Sequence, residues 1–199
     1  MPAPLTYRSY RPTDFSSVAR LWADEAGWGD LTPELWSKWF EDTPHGPCPV
    51  FVAIDGGGEV VGQIVFTPST VRTGGRNIRA LRLSAPIVRE AYRTAAVRSL
   101  GHPAIALWLT GAIACAARGH QIVYALPDRT WLPFFRAVGR FQVSEYPCLA
   151  IPLDSVPTTV GWWVPRATTL GSEHAAVWVE AREAMLCGVE RSTAWLHYR

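Results

Sequence analysis

The sequence predicts a mixed α/β domain with a mostly antiparallel, twisted sheet, followed by a helical extension. Three observations lead to this fold class. Two β-rich runs, residues 50–54 and 59–66, are joined through Asp55-Gly56-Gly57-Gly58, a strong hairpin signal, and Gly74-Gly75 then turns the chain into a third antiparallel strand at 77–88. An apolar helix over residues 103–118 separates that strand from the buried run Gln121-Ile122-Val123-Tyr124-Ala125-Leu126, and a strand–helix–strand unit implies a parallel pair. Beyond residue 153 the composition shifts to Pro, Thr and Trp, which separates a domain at 1–153 from a linker and helical extension at 154–199.

Whole-chain properties limit the functions open to this fold. At 199 residues with 48% apolar and 18% charged side chains, the chain can bury a sizeable core. A net charge of +2 supplies no basic field, so nucleic acid is not an expected partner. The four cysteines stand at 48, 115, 148 and 187 without a CxxC pair, which argues against structural zinc and for free thiols in a reduced, cytoplasmic setting. Met1-Pro2-Ala3-Pro4 does not read as a signal peptide, and the apolar run at 105–117 is too short to span a bilayer. Ten tryptophans call for large buried or half-buried aromatic surfaces.

Taken in order, residues 5–10 alternate as a strand. Thr13 or Asp14 then caps a helix with Phe15, Val18, Leu21 and Trp22 on its apolar side, ending near Gly27. Thr32 caps a second helix with Pro33 at its first position and Leu35, Trp36 and Trp39 as its buried side. Thr43-Pro44-His45-Gly46-Pro47 ends it, and His45 there reads as solvated. The triple glycine at 56–58 joins two strands with no helix after it, so it is a hairpin turn and not a phosphate loop. Gly119 closes the helix at 103–118. Residues 131–138 form a compact helix ending at Gly139, and 141–144 with 148–153 form a last hairpin. In the extension, Ser172 caps a helix that Gly188 ends, and 191–199 add a short helix.

The stretch with most bearing on function is Arg98-Ser99-Leu100-Gly101-His102-Pro103-Ala104. Gly101 lets the backbone approach a ligand, and Pro103 is pre-set for a first helical turn. Free amides of Gly101, His102, Ala104 and Ile105 would then converge at the positive end of a helix, a site for phosphate to which Arg98 adds a charged fork. His102 is expected to expose its ring there.

The element order β α α β β β α β α β β over roughly residues 5–153 resembles the GNAT superfamily of acyl-CoA-dependent N-acyltransferases. The most specific pieces are Tyr124-Ala125-Leu126-Pro127-Asp128 and Phe134-Phe135-Arg136-Ala137-Val138-Gly139-Arg140-Phe141, which look like that family's strand, Pro-Asn turn, short helix and closing Gly-Phe. Leu35-Trp36-Ser37-Lys38-Trp39-Phe40 and Val60-Val61-Gly62-Gln63-Ile64 look like their counterparts. The resemblance implies a splayed central strand pair, with the pantetheine arm of acetyl-CoA or another acyl-CoA in the gap. It pairs there with main-chain groups near Ile87 and Val88, while the pyrophosphate sits on Arg98-Ser99-Leu100-Gly101-His102-Pro103. Proline at the last of these positions departs from the family pattern. A second register, Tyr92-Arg93-Thr94-Ala95-Ala96, also resembles the family's turn, but it would place Gly101 and Pro103 inside the helix at a cost of ~1 and ~3 kcal/mol.

The resemblance further implies attack of a primary amine, on a small molecule or peptide, at a thioester carbonyl. The tyrosine that serves as acid in many relatives is replaced by Phe135. Tyr124 and Asp128 are then the catalytic candidates, Glu145 and Tyr146 lie near the same cleft, and an acyl-CoA-binding domain without catalysis is the alternative. The tail resembles the link into the second half of tandem relatives. Packing on the domain, covering the acceptor site and forming a homodimer surface all remain open for it.

Overall fold

The computed structural model describes residues 4–93, 102–125, 172–184, 187–189 and 194. Among these residues six strands form one sheet, ordered β1 (Thr6–Ser9), β2 (Val50–Ile54), β3 (Val60–Thr73), β4 (Arg76–Val88) and β5 (Ile122–Tyr124), with β6 (Cys187–Val189) on β3. Pairing is antiparallel except between β4 and β5, which run parallel from Ala80↔Ile122 to Arg82↔Tyr124. The mixed, mostly antiparallel sheet is thus present, with the parallel pair at its centre of interest.

The β2–β3 turn forms as its sequence dictates. Asp55 Oδ1 accepts from the Gly57 and Glu59 amides at 2.9 and 3.0 Å, and Gly58 adopts φ +87°, which only glycine takes without strain. On one face of the sheet lie α1 (Phe15–Glu25) and α2 (Pro33–Trp36), burying Val18, Leu21, Trp22, Trp36 and Phe40 against Val50, Val52, Val65 and Ile87. On the other face α3 (Pro103–Ala116) buries Ala104, Ile105, Leu107 and Cys115 against Phe51, Phe66, Leu81 and Val88. Helix and sheet approach closely where side chains are absent. A Cβ on Gly62 would stand 3.2 Å from Leu107 Cδ1, and one on Gly111 only 2.1 Å from the Phe66 ring.

Several expectations are corrected. Neither Thr13 nor Asp14 caps α1 by a side-chain hydrogen bond; the Asp14 carboxylate is taken by Arg8 and by the Arg11 amide instead. Thr32 does cap α2, accepting from Leu35 N at 3.3 Å, but the helix runs into a π-type turn over Ser37–Glu41. That wider turn brings Trp36 and Phe40 inward and leaves Trp39 37% exposed, against the expected burial of Trp39. His45 is half-buried, not solvated. α3 ends at Ala116, two residues early, with Gly119 at φ +81° closing the turn.

The extension's helix α4 (Ser172–Ala184) also stops short. Gly188, expected as its cap, lies in β6, whose Cys187–Val189 pair with Thr73–Val71, and Arg72 bonds Glu183 at 2.9 Å. The predicted helix at 131–138 and the hairpin at 141–153 lie outside the described residues.

Candidate active site

Among the described residues the β4–β5 pair stops short of the end of β4. β4 pairs with β5 only as far as Arg82↔Tyr124 and then runs on to Val88, so from Leu83 its β5-facing edge has no strand partner among the described residues. Within that stretch Gln63 pairs with Ile87 and Val65 with Ser84, so Ile64 on β3 faces both Ala85 and Pro86: a bulge in β4. Ala85 takes φ +45°, and it is the one non-glycine residue with positive φ among those described. Pro86 contributes no donor. The bulge lies past the last β4–β5 rung, and such an extra residue bends the strand that carries it.

Polarity of the open edge follows from the ladder. Arg89 N–H donates to Val61 O at 2.8 Å, and residues of an antiparallel strand alternate sides, so the peptide groups of Val88 turn away from β3 toward the gap. The side chains of Ile87 and Val88 are buried on opposite faces of the sheet, which holds this edge rigid. The Val88 carbonyl accepts from Arg93 Nε at 2.6 Å. Arg93 also meets Glu25 at 2.5 Å, Arg89 meets Asp24 at 3.4 Å, and the Glu90 amide donates to Glu25 at 3.1 Å, so the segment after β4 is pinned to the end of α1. Tyr92 donates its hydroxyl to Asp55 at 3.1 Å. Two causes that dominate at these groups are clear. Backbone amides, the Glu59 N–H foremost, hold the Asp55 carboxyl below its usual range, and burial pushes the Tyr92 hydroxyl up.

The start of α3 is built differently from expectation. His102 is the N-cap, with its ring folded back so that Nδ1 accepts from the Ala104 amide at 3.2 Å, and the residue is 7% exposed where an exposed ring was expected. Burial lowers the pKa of that ring. The Ile105 and Ala106 amides both donate to His102 O, at 2.9 and 3.1 Å. With Pro103 lacking an N–H, the amides of Ala104 and Ile105 are already engaged, which corrects the reading of them as free donors. Arg98, Ser99, Leu100 and Gly101 lie outside the described residues, as does Asp128. Tyr124 is half-buried on β5 at the last paired rung, where the gap begins.

One residue was missed in the sequence. Gln63 is fully buried, faces Ile87 across the β3–β4 pair and accepts from Trp22 Nε1 at 3.2 Å, while its own Nε2 has no partner among the described residues. A glutamine inside the apolar run Val60-Val61-Gly62-Gln63-Ile64-Val65 was the signal. Trp22 in turn meets Trp28 and Trp39 at ring distances of 5.0 and 6.0 Å, and both of those rings are exposed. Aromatic surface therefore borders the sheet on the α1 face.

No protein-family model matches the sequence, and no curated protein is significantly similar to it. Solved structures are. An acetyltransferase from Trypanosoma brucei matches 74% of this chain and 100% of its own with a TM-score of 0.54 at 17% identity. The glucosamine-6-phosphate N-acetyltransferase of Arabidopsis thaliana matches 75% and 99% with a TM-score of 0.58 at 12% identity. A GNAT family N-acetyltransferase of Escherichia coli, solved in complex with CoA, matches 67% and 69% with a TM-score of 0.50 at 22% identity. The chain thus has the GNAT superfamily fold. No helix among the described residues is long and apolar enough to cross a membrane.

Proposed function

We propose that this protein is an N-acyltransferase of the GNAT kind, moving an acetyl or other short acyl group from acyl-CoA to a primary amine of a small molecule or peptide. The observation that carries this reading is the open edge of β4. A rigid strand with peptide groups turned into a gap takes an extended chain bearing amides as it would take another strand. The Val88 N–H would hold the pantetheine arm in that way, with Ile87 beside it turned toward β3 and the Val88 carbonyl engaged by Arg93, and a solved GNAT neighbour has CoA bound.

The pyrophosphate would fall to the turn from Arg98 to Ala104. Because the Ala104 and Ile105 amides are engaged, the anion contacts there rest on the Arg98 guanidinium and the amides of Gly101 and His102, unless the His102 ring turns away. When bound, acyl-CoA supplies the acyl group as a thioester, already activated toward amines. The chain's part is to hold that carbonyl at the β4 bulge, to orient the amine and to take its proton. Tyr124, at the last paired rung of β5, would donate to the departing sulfur, and Asp128, four residues further along the sequence, is the second catalytic candidate.

Thermal unfolding with and without acetyl-CoA tests the binding half: about 2.7 kcal/mol of stabilisation is expected at a hundredfold excess over Kd, and no shift at millimolar ligand overturns the proposal. Release of free thiol across a panel of primary amines tests the chemistry. Binding without thiol release would favour an acyl-CoA-binding domain that has lost catalysis, the reading that Phe135 at the usual acid position supports. A Tyr124→Phe variant with unchanged turnover would remove Tyr124 from its role.

A further inference from the structure

A cavity of about 230 Å³ lies at the end of β1 and the start of β2, away from the β4 gap. Its rung of the sheet runs Val50↔Val65↔Ser84, so it stands two strands, about 10 Å, from the bulge. The site is pre-formed. Tyr10 N donates to Val50 O at 2.9 Å, Cys48 N to Phe40 O at 2.7 Å and Phe66 N to Pro49 O at 2.9 Å, which locks the three segments that border it.

Its wall is aromatic and its two charges are opposite. Tyr10 and Trp36 lie with ring centres 4.5 Å apart, and Phe40 meets Trp36 edge-on at 4.9 Å. Trp36 Nε1 donates to Glu41 Oε1 at 3.2 Å, which fixes the carboxylate, and its second oxygen has no hydrogen-bond partner among the described residues. Arg118 also lines the cavity. Its carbonyl accepts from Arg79 at 3.0 Å, so its backbone is anchored while its guanidinium forms no ion pair with any described residue. Glu41 likewise forms none. Burial first, then the Glu41 and Asp14 carboxylates, push the Tyr10 hydroxyl to about 12, so it stays a donor at any physiological pH. The volume is below that of drug-sized sites, which start near about 300 Å³.

We propose that this cavity binds a small zwitterion with an apolar body, such as a free aromatic or branched amino acid. The Glu41 carboxylate and the aromatic wall receive its ammonium, and Arg118 receives its carboxylate. A carboxylate beside aromatic rings favours an ammonium, and a guanidinium matches a carboxylate in a two-point fork. Two residues of opposite charge that line one cavity and do not pair with each other suit a ligand that carries both charges.

Calorimetric titration of the full chain with phenylalanine, phenethylamine and 3-phenylpropanoate tests this. Phenylalanine is expected to bind, and each analogue lacking one charge to bind at least about tenfold more weakly. Glu41→Gln should erase the preference over 3-phenylpropanoate, and Arg118→Gln the preference over phenethylamine. Both positions are exposed at the surface, and unchanged melting temperatures verify the folds. Absence of binding by phenylalanine and by leucine at about 10 mM, which bounds any affinity to weaker than about 3 kcal/mol, overturns the proposal. So does binding that neither variant alters, or binding by phenethylamine that equals that of phenylalanine. Saturating acetyl-CoA should leave the affinity within about twofold, because the cavity and the gap share no described residue.

Discussion

His102 Nδ1 accepts the Ala104 amide at 3.2 Å, so the helix that follows the proposed pyrophosphate turn is capped by its own side chain. This places a titratable ring, 7% exposed, at the start of α3. Capping needs Nδ1 unprotonated, and burial pushes the ring in the same direction.

His102→Ala should therefore cost about 1 kcal/mol, and His102→Asn, itself a good N-cap, should recover most of it. The pH dependence carries a definite sign. Because the folded pKa is depressed, the unfolded chain takes up the proton first, and stability falls as pH drops below the ordinary imidazole value of about 6.5, levelling off once the folded ring is protonated as well. Urea unfolding between pH 5 and about 8 should show this slope in the parent and a shallower one in His102→Asn.

Gly111→Ala in α3 should destabilise, although alanine is normally the better helix former by about 1 kcal/mol. The new methyl would stand 2.1 and 2.6 Å from the Phe66 ring and 3.0 Å from Phe51, and overpacking of this kind costs about 1–3 kcal/mol or more. A lower denaturation midpoint that Phe66→Leu partly restores is the expected result.

Ala85→Gly should raise the melting temperature, since φ +45° strains any residue with a Cβ; the gain is up to about 1 kcal/mol. Ala85→Val should lose about 2 kcal/mol for the same reason. Equal melting temperatures for the three proteins would show that the bulge carries no strain.

Asp14→Asn should cost about 2 kcal/mol at neutral pH. Asp14 takes two bonds from Arg8, at 2.7 and 2.8 Å, and one from the Arg11 amide at 2.8 Å. The Arg8 bonds, more than burial opposes them, hold its carboxyl below the usual range. Its contribution is thus complete above the ordinary aspartate value near about 4 and is lost as pH falls through the lower folded value. The difference between parent and variant, measured by chemical denaturation, should shrink in acid.

What the sequence by itself determined is the set of features whose causes lie within a few residues. The Asp55–Gly58 turn, the Thr32 cap, the start of α3 at Pro103 and the alternation through β2 to β4 are local matters of φ, capping and periodicity, and each is present. The order of those elements was enough to indicate the GNAT fold. Tertiary structure decided what depends on distant partners. A π-type turn left Trp39 exposed and buried Phe40 instead, and burial under the core turned the His102 ring inward onto its own helix. Gln63 acquired meaning only through Trp22, 41 residues away, and Gly188 became strand because Arg72 and its neighbours on β3 had an edge to fill. Such outcomes turn on which surfaces meet once the chain is compact, and residue type at one position carries no record of that.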